Sequence, residues 1–535
     1  MFCGKKFQSE ETLPLIGDKA TEKDKQQTNL THFLPPPRHR YPIAVVFILI
    51  TKFFEAFAAN GIRTILALYL RDDLYFSEDL STIMLHIFNF FGQFCPIIGA
   101  ILADSYLGNT RTISWFYYVY AVGWIFLIIT SLPTIGISIY FLVSLSLLLI
   151  SIGNGSVRAC ITSLGALQFK IPQQSHLLTE YFSLYYFVYY FGIFLSKILP
   201  PMVRANTTCF NVNGCYPAVF GTLAASFLAS WIFFTIGKIY YKPEKLSDEN
   251  ILVKFYGCIK VALVKKWKTG SSPKAHWLHH AIGRYDESFV YDVSKVIKIS
   301  KLFIPLPIYF ALLAQQDSSW TFQASQMNTT IWGVTLQADQ AKAMGPVLLF
   351  IFIPLWQYIL GPILKHFDLE MNPLQSVTLG GVCSAFAFVA AGVLQETIYT
   401  EPYKSISIAW QVPQFALLMM GELFLSIPGL HFAFTQAPLS MKSVVTAAWF
   451  LNNAFGNLLV VIITELDILQ SQSAGYFFYG VLMIVCTIVF GLLAYDYLLD
   501  DRAQWEDDLR GSNTTAASNQ LATNLSSDSL VNENM

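Results

Sequence analysis

The sequence predicts an all-α polytopic membrane protein with twelve transmembrane helices in two six-helix halves. Three observations lead there. Of 535 residues 54% are hydrophobic and only 13% charged, more apolar surface than a soluble core of this length needs. The apolar residues gather into runs close to the roughly 20 residues that a helix needs to cross a hydrocarbon core. A polar, lysine-rich insert then separates six such runs from six more. The formal net charge of −1 gives no reason to expect nucleic-acid binding.

Residues 1–40 are polar, include Pro35-Pro36-Pro37-Arg38 and hold no apolar run, so they read as a disordered cytoplasmic tail rather than a signal peptide. The first half, 41–240, has spans expected at 43–70, 80–103, 112–132, 137–162, 179–203 and 216–240, with Pro133 and Pro200-Pro201 marking ends. Between its last two spans Cys209 and Cys215 flank a short loop beside an N-x-T acceptor at Asn206. That fits a disulfide-closed, glycosylated loop on the oxidising face; two free thiols are the alternative. Cys95, Cys160, Cys383 and Cys486 lie inside apolar runs and read as small core residues.

The insert, 241–299, carries Lys254, Lys260, Lys265, Lys266 and Lys268 among apolar residues. Either an amphipathic helix on the inner membrane surface or a solvated basic loop fits this pattern. The second half, 300–500, has spans expected at 300–317, 344–366, 374–396, 407–434, 443–465 and 475–499, followed by a disordered cytoplasmic tail at 501–535. An even number of spans puts both termini on one side, and the basic insert puts that side in the cytoplasm. Asn206 and a second acceptor, Asn328, then fall outside. The expected setting is the plasma membrane and the expected state a monomer in the bilayer.

The segment Gly99-Ala100-Ile101-Leu102-Ala103-Asp104-Ser105-Tyr106-Leu107-Gly108-Asn109-Thr110-Arg111-Thr112-Ile113 has the form of a tight hairpin between two spans. Gly99 and Ala100 allow close backbone approach, Gly108 allows a reversal, and Arg111 favours the inner face. It resembles the loop between the second and third helices of major facilitator transporters. Its A-D-S-x-x-G-x-x-x-T-I form is similar to the proton-coupled oligopeptide transporter family in particular. The resemblance recurs at Glu180-Tyr181-Phe182-Ser183-Leu184-Tyr185-Tyr186 with Gly192, at Cys215-Tyr216-Pro217, at Pro305-Leu306-Pro307 with Gln315-Gln316, and at Gly429-Leu430-His431-Phe432 through Ala437-Pro438. The resemblance implies the major facilitator fold, with Asp104 and Arg111 in the gating framework.

It also implies where the cavity chemistry should lie, and there the chain departs. The family's first helix carries two carboxylates and an arginine for proton coupling; here the stretch reads Lys52-Phe53-Phe54-Glu55-Ala56. Glu55 stays, the first carboxylate is Lys52, and the arginine is Ala56. Lys52 and Glu55 are one helical turn apart, so a structural ion pair and a coupling role both fit. His86 matches the family's second-helix histidine and can exchange a proton near neutral pH; a hydrogen-bonded packing residue is the plainer reading. Arg63 and Arg158 match family cations suited to a substrate carboxylate, and either could instead neutralise Glu55 or Glu422. At further cavity positions the resemblance places Tyr190 for an asparagine, Phe310 for another aromatic, and Ala314 and Gln357 for acids. His431 stands where the family holds a peptide's amino group with a glutamate, and Trp449 matches a retained tryptophan.

These readings favour a secondary transporter of di- and tripeptides or peptide-like solutes, coupled to protons through Glu55 and His86 and working by alternating access. A same-fold carrier of a different, anionic solute without proton coupling, or a non-transporting sensor or scaffold, remains open. The sequence shows no metal-ligand spacing, nucleotide loop or nucleophile constellation, so neither an enzyme nor a cofactor is expected. Gly153-Asn154-Gly155 reads as close helix packing.

Overall fold

The computed structural model describes residues 41–498, apart from 133–138, 171–173, 210–211, 244–250, 270–276, 332, 368–370, 439–440 and 467–470. Both tails and Pro133 lie outside the described residues. In chain order the helices are α1 (Ile43–Leu68), α2 (Glu78–Leu102), α3 (Asn109–Thr130), α4 (Ile139–Ala166), α5 (Ser175–Asn206) and α6 (Tyr216–Gly237). The insert holds α7 (Ile251–Thr269) and leads into α8 (Glu287–Lys301). Then follow α9 (Leu306–Ala314), α10 (Ser319–Ser325), α11 (Met344–Leu355), α12 (Gly361–His366), α13 (Pro373–Thr400), α14 (Val412–Gln436), α15 (Lys442–Glu465) and α16 (Gln472–Leu498). Among the described residues eleven helices are long and apolar enough to cross a membrane, and one bent pair raises the number to twelve.

That bent pair corrects the expected seventh span. Instead of one run over 300–317, Glu287–Lys301 and Leu306–Ser325 meet at 53°. Pro305 and Pro307 are the cause: neither has an N–H to donate, so the helix stops and restarts with proline in its first turn. The eighth span also begins earlier than expected, at Ala338, and passes through a wide turn at Trp356–Leu360 after Pro354.

The chain forms two compact units, one of Met1–Thr64 and Pro96–Ser247, the other of Ile65–Cys95 and Asp248–Met535. The cuts fall inside α1 and α2. The segment Ile65–Cys95 therefore packs with second-half helices: Ala67 and Leu68 share a buried cluster with Phe322, and the Arg71 guanidinium bonds Ser325 at 3.1 Å.

In each unit small residues bring helices together, which a bilayer favours because lipid provides no hydrophobic drive between helices. In the first unit, a Cβ on Gly153 would sit 2.5 Å from the Tyr120 Cβ and 2.9 Å from its Cα, so α3 and α4 are in backbone contact there. In the second, a Cβ on Gly380 would sit 2.8 Å from the Gly421 carbonyl oxygen, and Ser384 donates back to the Gly380 carbonyl at 2.8 Å. At the α2–α3 hairpin, Gly108 takes a φ of 77° and its N–H meets the Ala103 carbonyl. Gly99 approaches the Ser156 backbone, where a Cβ would lie 2.7 Å from the Cα.

Short antiparallel hairpins close two of the loops. In the first, Thr208–Cys209 pairs with Val212–Asn213, and a Cys209–Cys215 disulfide spans 5.2 Å between Cα atoms. Cys215 then caps α6, its Sγ accepting the Ala218 N–H at 3.3 Å. The second hairpin pairs Thr330–Ile331 with Val334–Thr335 around Gly333.

The packing gives opposite expectations for two glycines. Gly153→Val drives a branched side chain into the α3 backbone and should destabilise the protein by about 1 to 3 kcal/mol. Gly221→Ala, where a Cβ meets nothing within 4 Å, should be neutral or stabilising by up to about 1 kcal/mol. Thermal unfolding of the purified protein in detergent separates the two.

Candidate functional site

In the first unit α1 places Lys52 and Glu55 on one face. The Lys52 ammonium donates to Glu55 Oε2 at 2.6 Å, and both side chains are 1% exposed. Asn154 of α4 donates its amide to the other carboxylate oxygen. On α5 the rings of Tyr189 and Tyr185 lie 4.6 and 5.7 Å from the Lys52 ammonium. A cation, an amide and two aromatic faces thus satisfy a charge pair that hydrocarbon would otherwise reject. Ala56 is fully buried, and a Cβ on Gly192 would lie 3.2 Å from its Cβ. Helix α5 has closed over the position where the family resemblance implies an arginine.

The unit's other expected site residues lie on neighbouring helices. Arg63 of α1 is half-buried and donates to Asn60 Oδ1 at 3.1 Å. Arg158 of α4 is half-buried, and Tyr190 of α5 is exposed beside the Tyr189 ring at 5.4 Å. Asp104 and Arg111 are exposed on either side of Gly108, and Asn206 is exposed at the end of α5. Lys242, beyond α6, donates its backbone N–H to Gln168 Oε1 at 3.1 Å. Burial first, then the nearby Lys170 charge, lower the proton affinity of its ammonium.

In the second unit His86 of α2 is fully buried, with Nδ1 2.9 Å from Asn457 Oδ1 of α15 and Nε2 2.9 Å from Ser318 Oγ. Asn457 spends its amide on the Asn453 carbonyl at 2.9 Å, so its oxygen faces the imidazole and Nδ1 is the protonated nitrogen. Ser318 has two acceptors within reach, His86 Nε2 and Gln315 Oε1 at 3.3 Å. With neutral imidazole the hydroxyl donates to Nε2. With imidazolium Nε2 donates to the hydroxyl oxygen, and the hydroxyl proton turns to Gln315. Hydrogen bonds can thus be drawn for either protonation state with the contact between His86 and Ser318 kept.

Phe310 of α9 and Trp449 of α15 meet edge to face at 6.0 Å, and Gly429 leaves room for the indole. His431 is exposed on α14, and Asn328 is exposed beside the second hairpin. Glu422 of α14 accepts from Tyr309 and from Ser426, the latter at 2.9 Å; an arginine partner is not found among the described residues. Sequence reasoning missed Asn154, Ser318, Asn457 and Tyr309, although polar residues inside apolar runs are a visible signal. It also missed Arg71, which binds Asp72 at 2.7 Å and Glu78 at 3.0 Å and stacks on Phe322 at 4.9 Å.

Residues 110–490 match the model of the POT family (PTR2). The chain belongs to that family. It is 25% identical to human solute carrier family 15 member 2 over 86% of this chain and 90% of the relative. To the rat protein of that name it is 33% identical, over 67% of this chain and 49% of the relative. Against Drosophila melanogaster peptide transporter family 1 it is 25% identical over 88% of this chain and 89% of the relative. Among solved structures, an auto-inhibited POT family peptide transporter superposes with a TM-score of 0.74 at 24% identity, covering 85% of this chain and 97% of that one. The POT transporter PepTSo gives 0.72 at 23% identity, covering 86% and 99%. The fold is that of the major facilitators, and the POT family is one of transporters, not enzymes.

The buried pair in α1 can be tested by removing one partner at a time. Lys52→Met leaves Glu55 without its cation in an apolar site and should cost about 3 to 5 kcal/mol. Lys52→Met combined with Glu55→Gln should recover most of that loss in thermal unfolding.

Proposed function

We propose that this POT family member is a secondary transporter of di- and tripeptides or peptide-like solutes, coupled to protons and working by alternating access. Support comes from relatives at 25% identity over most of both chains, one of them, from Drosophila melanogaster, named as a peptide transporter. The observation that carries the coupling is the His86 site, which accommodates imidazole and imidazolium alike between Ser318, Gln315 and Asn457. In this reading Arg63 and Arg158 hold a substrate carboxylate through forked hydrogen bonds. Tyr190, Phe310, His431 and Trp449 shape the binding region, Asp104 and Arg111 belong to the gate, and Glu55 is held in its ion pair with Lys52, so that His86 carries the coupling in this reading. The protein works as a monomer in the plasma membrane with both termini cytoplasmic; the basic helix α7 and the exposed acceptors Asn206 and Asn328 favour that orientation.

One observation favours a second reading, a carrier of another and perhaps anionic solute. His431 supplies an imidazole where the resemblance implies a glutamate for the peptide's amino group, and an imidazole cannot replace a carboxylate there.

Uptake of a labelled dipeptide into proteoliposomes decides between them. The peptide reading expects uptake that rises when the outside is acidified, and expects His86→Gln to abolish the pH response. No uptake at either acidic or neutral pH overturns the peptide reading. Uptake indifferent to pH overturns the coupling alone.

A further inference from the structure

Two carboxylates inside the described spans, Glu55 and Glu422, have opposite surroundings. Glu55 has an ammonium at 2.6 Å and an amide on its other oxygen. Glu422, midway along α14, is half-buried and receives hydrogen bonds only from two neutral hydroxyls, Tyr309 and Ser426, both on Oε2. Among the described residues Oε1 has no hydrogen-bond partner and the carboxylate has no ion pair. An uncompensated negative charge in a membrane span is expensive, whereas a protonated carboxyl is not. Two hydroxyl donors lower that cost without removing it, so the group sits between the two states in a way that Glu55, held by Lys52, does not.

Among the described residues no charged side chain is in hydrogen-bond or ion-pair contact with it. Helix α14 packs against α11, α13 and α15, its Phe432 meets Tyr497 of α16, whose titratable groups are Tyr476, Tyr479, Cys486, Tyr495, Asp496 and Tyr497, and Tyr309 comes from α9. Helix α11 has no titratable residue, and α9 has Tyr309 alone. On α13 the titratable groups are Cys383 and, toward the far end, Glu396 and Tyr399. On α15 they are Lys442 and Glu465, the first and last residues. Lys342, just before α11, donates to the Asp317 carbonyl at 3.1 Å.

We propose that Glu422 is a proton-binding site of this transporter, held by Tyr309 and Ser426, and that it supplies the exchangeable carboxylate that the Lys52 pairing withdraws from α1. The proton adds to Oε1, giving a neutral carboxylic acid whose Oε2 keeps the two hydroxyl donors. It leaves from the same oxygen, with no other bond made or broken. The inference rests on the proton-coupled reading for what the proton drives, but not for its binding.

Infrared difference spectroscopy of the full-length protein in lipid nanodiscs, titrated from alkaline to mildly acidic pH, reads this binding without any transported solute. Acidification should raise the carbonyl stretch of a protonated carboxylic acid, and that band should vanish in Glu422→Gln but persist in Glu55→Gln. Tyr309→Phe keeps the ring and removes one donor from the carboxylate, so the band should appear at a pH higher by about one unit. A band that survives in Glu422→Gln, or that vanishes only in Glu55→Gln, overturns the proposal. So does a midpoint unmoved by Tyr309→Phe. If dipeptide uptake fails while the Glu422 band is present, the peptide reading falls and the proton site stands.

Discussion

Hydrocarbon offers no hydrogen bonds, and almost every feature of this protein answers that constraint. Backbone groups must be satisfied within the segment that carries them, which makes the spans helices. Side-chain charges must find partners inside the protein, which makes each polar residue in a span part of an arrangement. Lys52 and Glu55 show the consequence most fully. Their mutual bond is completed by Asn154 from α4 and by two tyrosine faces from α5, so three helices are tied to one charge pair. Removing the charge pair from water is tolerable only because all of these partners are present together.

The same constraint shapes the backbone. Helices that gain nothing from hiding apolar side chains from lipid associate where small residues let them touch, at Gly153 on Tyr120 and at Gly380 on Gly421. The chain departs from helix before Leu306, at Pro305 and Pro307, and again at Ser318, and the second of these turns places a hydroxyl against His86. A serine with two acceptors in reach can follow the charge state of an imidazole without any helix moving.

Much of this was legible along the chain. The run of spans, the lysine-rich insert, the Gly108 reversal, the cysteine pair beside Asn206 and the i,i+3 placement of Lys52 and Glu55 all depend on local spacing. The seventh span was misjudged because two prolines within three residues break a helix that hydropathy alone would draw as continuous. The partners of the charged residues were hidden for a different reason. Asn154 lies 99 residues from Glu55, and Asn457 lies 371 residues from His86, so no local pattern connects them.

By itself the sequence determined that this is a polytopic helical membrane protein, because solvent preference and helical periodicity are local properties of the residues, and its motifs carried the resemblance to the POT type. It also determined which charges would have to be accommodated inside the bilayer. Only the tertiary structure decided how. It gave Glu55 a cation, Glu422 two hydroxyls, and His86 a hydrogen-bond partner on each ring nitrogen. The reason is that hydrogen-bond satisfaction at a buried charge is set by which helices arrive beside it, and that depends on the packing of the whole unit.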